Sequence, residues 1–183
     1  MKWSAFIFFV LFSPLSCRRL WKKEVVTWTF RDPFTILNSE AKVKAVRRLL
    51  RECFFMWEDA MEGKIRFKEV YSLNNEVEKR PDGVDIDVFF ARGSHGDEEA
   101  FDGRGGILAH ARYPPEGRLH IDGDESWTID GKGINLRQVV LHEIGHLLGL
   151  RHSSHPQSLM NPEYPESSRV VFVPDIDAHL LRQ

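Results

Sequence analysis

From Ser39 to Ala60, apolar residues recur at Val46, Leu49, Leu50, Cys53, Phe54 and Trp57, a spacing of threes and fours that gathers them on one face of a helix. Ser39 is suited to cap that helix and Glu40 to its first turn, where the backbone N–H groups favour negative charge. A second stretch, Leu136 to Leu148, carries Val139, Val140, Ile144, Leu147 and Leu148 at helical spacing and stops at Gly149, which enters left-handed geometry at little cost. The runs Val25 to Phe30, Ile65 to Val70 and Val84 to Phe90 are rich in β-branched and aromatic residues and predict strands, with ordinary polar surface from Asn74 to Gly83. Between His95 and Asp130 the chain is dense in Gly, Asp and His, broken only by the short apolar pieces Ile107 to Ala109 and Leu119 to Ile121. Such a stretch rarely builds a core unaided and suggests bound ions. A third short helix is expected near Pro174.

The chain has 183 residues, a mass of 21.3 kDa and 42% hydrophobic content, the size and composition of one domain with a sizeable core. A net charge of -2 and a pI near 6.4 give no clustered basic surface, which argues against nucleic acid or an anionic membrane as partner. The basic run Arg18, Arg19, Lys22 and Lys23 is short enough to be simply solvated. At the start, Lys2 precedes the apolar run Ala5 to Phe12 and small residues near Ser16, which resembles a secretory signal and is too short to cross a bilayer. The expectation is a signal over residues 1–17, one folded domain over 18–183, secretion to the extracellular space and no stable membrane anchor. Cys17 and Cys53 are the only cysteines, so disulfides cannot hold the fold, and Cys53 falls on the apolar helix face as a buried thiol.

Within the second helix, His142 and His146 stand four residues apart, on one face and close enough to share a metal ion. Gly149 then ends the helix and lets the chain turn back, so that His152 completes a three-nitrogen site with a fourth position open. Glu143 lies beside the first histidine and is the acid placed to act as general base on a water activated by zinc. Five-residue HExxH matches arise by chance on helix surfaces, and the added Gly149 and His152 remove most of that ambiguity.

The segments HEIGHLLGLRHS and SLMNPEY resemble the matrixins, or matrix metalloproteinases, of the metzincin group; Met160 matches the methionine of the turn beneath their zinc. Ser153, after the third histidine, is similar to a matrixin, whereas adamalysin-type enzymes have Asp and astacin-type enzymes Glu. HGDEEAFDGRGGILAHA and LHIDGDESW resemble the family's ion-binding region, so the likeness covers nearly all of the chain after the leader. It implies a metzincin-like zincin fold of α/β (α+β) class: a twisted, mostly parallel five-stranded sheet, two long helices and a short C-terminal third. It also implies a monomeric zinc endopeptidase acting on extended polypeptide.

By the same resemblance, His95, Asp97, His110 and His120 match the ligands of a structural zinc. Spacing alone would leave them as scattered surface residues. A calcium site is carried over onto Asp102, Asp122 and Glu125, with carbonyls of Gly103, Gly105 and Ile107. Leu108 and Ala109 match the edge strand to which a peptide adds; Pro162 and Tyr164 match the wall, and Gln138 the depth, of the pocket receiving the residue after the cut, with an apolar preference. The stretch ARYPPEGRL is shorter than the usual loop, Ala100 stands for a usual proline and Asn161 for a usual tyrosine. No Pro-Arg-Cys-Gly-type propeptide motif and no hemopexin-like domain occur, and Cys17 lacks the inhibitory context. The expectation is activity of the chain as written without proteolytic processing, the alternative being that it is a fragment of a longer one.

Overall fold

The computed structural model describes residues 21–129 and 133–164; the leader and the helix expected near Pro174 lie outside these. Along the chain run β1 (Val25–Arg31), α1 (Glu40–Ala60), β2 (Arg66–Glu69), β3 (Ile86–Ala91), β4 (Ala109–Ala111), β5 (Arg118–Asp122), β6 (Trp127–Thr128), β7 (Ile134–Asn135) and α2 (Leu136–Leu147). Five strands form one sheet in the order β2-β1-β3-β5-β4. The first three pairings are parallel and only β4 runs antiparallel, against β5, with Ala109 opposite Ile121 and His110 opposite His120. The sheet therefore ends on β4. The apolar piece expected at Ile107 to Ala109 yields a strand only from Ala109, because the Ile107 N–H is drawn back to Asp102 Oδ1 at 3.0 Å.

Helix α1 starts where the cap was expected, with Ser39 Oγ accepting from the Lys42 N–H at 3.3 Å, and it buries the anticipated stripe from Val46 to Trp57. Each large side chain taken out of water in this way contributes roughly 1.5–3 kcal/mol. Trp57 is fully buried and donates from Nε1 to the Leu141 carbonyl of α2 at 2.9 Å, so the helix contact is directional as well as apolar. Trp21 does the same at the other end of α2, donating to Leu147 O at 2.8 Å. Both helices and one sheet face share a single core.

Strand β3 is buried along its whole length, including Asp87, because both of its faces are covered. On the second face Phe89, Ala91 and Phe101 form a small cluster packed by Phe34, Val77 and Ile107. Asp87 is tolerated there by a bidentate pair with buried Arg31, at 2.8 Å to Nε and 2.6 Å to Nη2. Arg31 also donates to the carbonyls of Asn74 and Glu76, which ties down a loop expected to be ordinary surface. Among the described residues no helix is long and apolar enough to cross a membrane.

Candidate metal centres and active site

Helix α2 is buried almost throughout, and His142, Glu143 and His146 are buried with it. At its end Gly149 takes φ +93°, and the Gly149 and Leu150 N–H groups return to His146 O and Gly145 O at 2.9 Å. That turn carries His152 back over the helix. His146 Nε2 then lies 3.1 Å from His142 Nε2 and 3.2 Å from His152 Nε2.

The tautomers follow from the partners behind the rings. His142 Nδ1 donates to Leu159 O at 2.7 Å and His146 Nδ1 to Leu150 O at 2.8 Å, since a carbonyl can only accept. Each Nε2 therefore turns a lone pair toward its neighbours, an arrangement that repels itself unless a cation sits among them. Nitrogens held tetrahedrally at about 2.0–2.1 Å from zinc are separated by about 3.3 Å, close to what is found. Burial pushes His142 down to about 4 and His146 well below the usual imidazole range, so both stay neutral, as ligands must.

Glu143 is 1% exposed and its Oε1 has no hydrogen-bond partner. Burial, and after it the charge of Glu99, pushes its carboxyl up to about 8. A carboxyl poised near neutrality beside a cation-binding cluster is suited to taking and returning a proton. Beneath it the chain from Ser153 to Met160 closes a loop through the Ser153 N–H to Met160 O bond of 2.9 Å. Tyr113 packs edge-on against His146 at 5.9 Å between ring centroids.

His95, Asp97, His110 and His120 come together on the other side of the sheet. The register that sets His110 opposite His120 brings His110 Nε2 to 3.1 Å from His120 Nδ1. His95 Nε2 lies 3.1 Å from the same Nδ1, and Asp97 Oδ2 lies 3.2, 3.0 and 2.8 Å from the three rings in chain order. His95 Nδ1 donates to Gly93 O at 2.7 Å, again leaving Nε2 inward. Burial raises Asp97, but the hydrogen bonds of the three histidines outweigh it and hold the carboxyl far below its usual range. Phe101 stacks on His95 and His110 at 4.7 and 4.8 Å, and Phe89 lies on His120 at 4.0 Å. The set is closed and walled by aromatic rings, which suits a structural rather than a catalytic ion.

The residues assigned to calcium are less tightly drawn. Only the two histidine clusters, among the described residues, bring their ligand atoms within 4.8 Å of one another. Gly105 N–H reaches Glu125 Oε1 at 2.5 Å, which joins the 102–107 loop to the turn after β5. Gly103 and Gly105 both take φ +80°, and a Cβ on Gly106 would fall 2.0 Å from the Asp102 carboxylate. Asp122 Oδ2 is buried without a partner, and burial together with Asp124, Glu125 and Asp102 pushes its carboxyl up to about 6. Like charges drawn together and withdrawn from water raise a carboxyl in this way.

Leu108 and Ala109 are buried at the edge of the sheet, with the Leu108 carbonyl spent on Asp122 N–H at 3.0 Å. Gln138 lies one turn before His142 on α2 and buries an Oε1 that has no partner. Tyr164 closes on the start of that helix, its hydroxyl accepting from Asn135 N–H at 2.8 Å, and Pro162 is half-buried nearby in sequence. Sequence reasoning did not single out Glu99 or Tyr113, nor the carbonyls of Leu150 and Leu159 that orient the ligands. Backbone acceptors carry no residue signature, and the other two are placed by loop geometry.

Comparison with known proteins agrees with this geometry. The family model for Matrixin matches residues 20–183. The chain is 37% identical over 171 residues to matrix metalloproteinase-2 of Drosophila melanogaster, 89% of this chain and 20% of that protein. It is 42% identical over 139 residues to karilysin of Tannerella forsythia, 72% of this chain and 27% of that protein. It is 42% identical over 152 residues to matrix metalloproteinase-25 of Mus musculus, 79% of this chain and 23% of that protein. The chain thus spans about a quarter of the length of these relatives. With His142, His146 and His152 as its catalytic zinc site and His95, Asp97, His110 and His120 as its structural one, it belongs to the matrixins, a family of zinc metalloendopeptidases.

Proposed function

We propose that this domain hydrolyses internal peptide bonds of extended polypeptides, with Glu143 as the general base. The observation that carries the reading is the buried carboxylate of Glu143, with its Oε1 unpartnered, beside three neutral histidine nitrogens turned toward one another. Zinc bound to those nitrogens lowers the pKa of water to about 7 and polarises a carbonyl. Glu143 takes the proton of the attacking water and passes it to the leaving amine. The α2 backbone fixes Glu143, and the carbonyls of Leu150 and Leu159 fix the rings, so little reorganisation is needed during the reaction.

The peptide lies along the outer edge of β4 near Leu108 and Ala109, bound by main-chain hydrogen bonds. Gln138, Pro162 and Tyr164 bound the pocket for the residue after the cut, for which an apolar side chain is preferred. Asp102, Asp122 and Glu125, with carbonyls of Gly103, Gly105 and Ile107, hold calcium and stiffen the loop leading into β4. Secretion fits the apolar run Ala5 to Phe12 after Lys2. The test is turnover of a quenched peptide by the purified protein before and after zinc chelation and after zinc is restored. Activity that survives chelation with zinc content measured at zero overturns the reading.

A further inference from the structure

We propose that Glu99, next to Arg112 at the end of β4, forms a subsite selecting a basic side chain on the N-terminal side of the cut; this rests on the peptidase reading above. Pairing with β5 continues one residue beyond β4, because the Arg112 N–H donates to Arg118 O at 2.9 Å. Side chains alternate along such a strand. Tyr113 meets His146 of the catalytic cluster, and His110, on the opposite parity, enters the structural cluster. Arg112 shares the parity of His110 and turns to Glu99, at 3.4 Å between Nη2 and Oε1.

Glu99 is the unusual member of this group. Its side chain is 11% exposed, yet both carboxylate oxygens are buried without a hydrogen-bond partner. His110 Nδ1, also without a partner, is 3.8 Å from Oε2, too far for a hydrogen bond. A buried acceptor left without a donor is costly, and more so when charged, so the arrangement favours a ligand that donates. Arg112 stands off Oε1 and leaves Oε2 unpaired.

A peptide added antiparallel to β4 carries its N-terminal residues past Arg112 and its C-terminal residues past Leu108. Its side chains alternate between the face of Tyr113 and the face of Glu99. One that falls on the Glu99 face and ends in a guanidinium competes with Arg112 for two buried, unpaired oxygens, to which it brings several donors in the strong bidentate arrangement. A glutamate there meets Glu99 and is repelled.

Quenched peptides with Arg, Ala or Glu at each of the three positions before the cut give the test through kcat/KM. The wild type should favour Arg over Glu by tenfold or more at one position, and Glu99→Gln should bring that ratio within about twofold. Arg112→Met removes the competing cation and should widen the ratio severalfold, which keeps the test open where Glu99→Gln does not fold. Zinc content near two per chain and an unchanged far-UV spectrum certify each variant. Calorimetric binding of the same peptides to Glu143→Ala reads the preference without turnover, so loss of hydrolysis alone does not decide it. Equal ratios or affinities for Arg and Glu peptides at all three positions, or a preference that survives Glu99→Gln, overturn the proposal.

Discussion

The sulfur of Met160 lies against the backbone of Gly145, so close that a Cβ at that position would come to 2.3 Å of Sδ. The same Cβ would stand 3.3 Å from Trp57, and Met160 and Trp57 are both buried, so neither has room to retreat. Gly145 is therefore the point where the loop after His152 seats under the helix that carries His142 and His146.

Gly145→Ala should be destabilising although alanine is the better helix former by about 1 kcal/mol. Overpacking a filled core costs typically 1–3 kcal/mol, so the net loss is expected at up to about 2 kcal/mol, a fall of up to several degrees in Tm. Adding Met160→Ala relieves the clash, and the double variant should lose less stability than the sum of the single ones. Thermal unfolding of the four proteins, all loaded with zinc, checks this. Additive losses would show that the contact is not tight.

Glu143→Ala should abolish peptide hydrolysis and leave two zinc ions bound, because the base is no ligand. General-base help is worth about 10²–10⁴-fold in rate, so hydrolysis within tenfold of wild type would remove Glu143 from that role. Turnover and metal content are read on the same sample. Loss of one zinc ion would mean that the variant disturbs the site rather than the step.

The two zinc sites differ in how far the sequence reveals them, and the reason is where the ligands come from. His142, His146 and His152 belong to one helix and the turn that ends it, so helical spacing and Gly149 are enough to bring them together. His95, Asp97, His110 and His120 come from a loop and two antiparallel strands, and only the register of β4 on β5 sets His110 facing His120. No local pattern encodes that register, and family resemblance supplied the grouping. Helix α1 was legible because one face alone is buried. Strand β3 was legible as apolar, but Asp87 within it gave no sign of its partner Arg31, which lies 56 residues away. Glu99 reads in the sequence as one acid among several, and only the fold withdraws its oxygens from water.

Asp122 makes the calcium assignment testable through pH. Its folded carboxyl sits at about 6, above the ordinary aspartate value of 3.8, so in that window the folded state holds a proton that the unfolded chain has released. Stability without the ion should therefore fall as pH rises through this range. Calcium binds the deprotonated form, so the rise in Tm on adding calcium should grow as pH passes about 6 and should vanish in Asp122→Asn. Thermal midpoints from pH 5 to 8, with zinc saturating and calcium present or chelated, measure it. A calcium effect independent of pH would place the ion elsewhere.

Cys53 should be silent toward thiol reagents in the native protein. It is fully buried on α1, and burial pushes its thiol up to about 12, so almost no thiolate exists at pH 8. Labelling at Cys53 should proceed only as fast as the domain opens and should accelerate with denaturant. Identification of the labelled peptide by mass spectrometry separates it from Cys17. Fast modification of Cys53 in the zinc-loaded native protein would contradict the buried placement.

The Arg31–Asp87 pair offers a different kind of test, because its energetics are asymmetric. Both side chains are almost wholly buried, at 0% and 4% exposure, and Arg31 lies 5.0 Å over the Phe89 ring while holding the Asn74 and Glu76 carbonyls. Phe89 in turn packs on His120 of the structural site. Removing one partner leaves a charge unpaired in the core, which costs about 3–5 kcal/mol, whereas replacing both by apolar residues of similar volume is often neutral. Asp87→Leu alone should thus lower stability by several kcal/mol, and Arg31→Met with Asp87→Leu should recover most of that loss. The recovery should not extend to the loop, since its two carbonyls lose their donor once Arg31 is replaced. Hydrogen exchange around residues 74–76 should accelerate in the double variant even where its denaturant midpoint approaches wild type. Recovered stability with unchanged exchange there would show that the loop is held by its own contacts and not by Arg31.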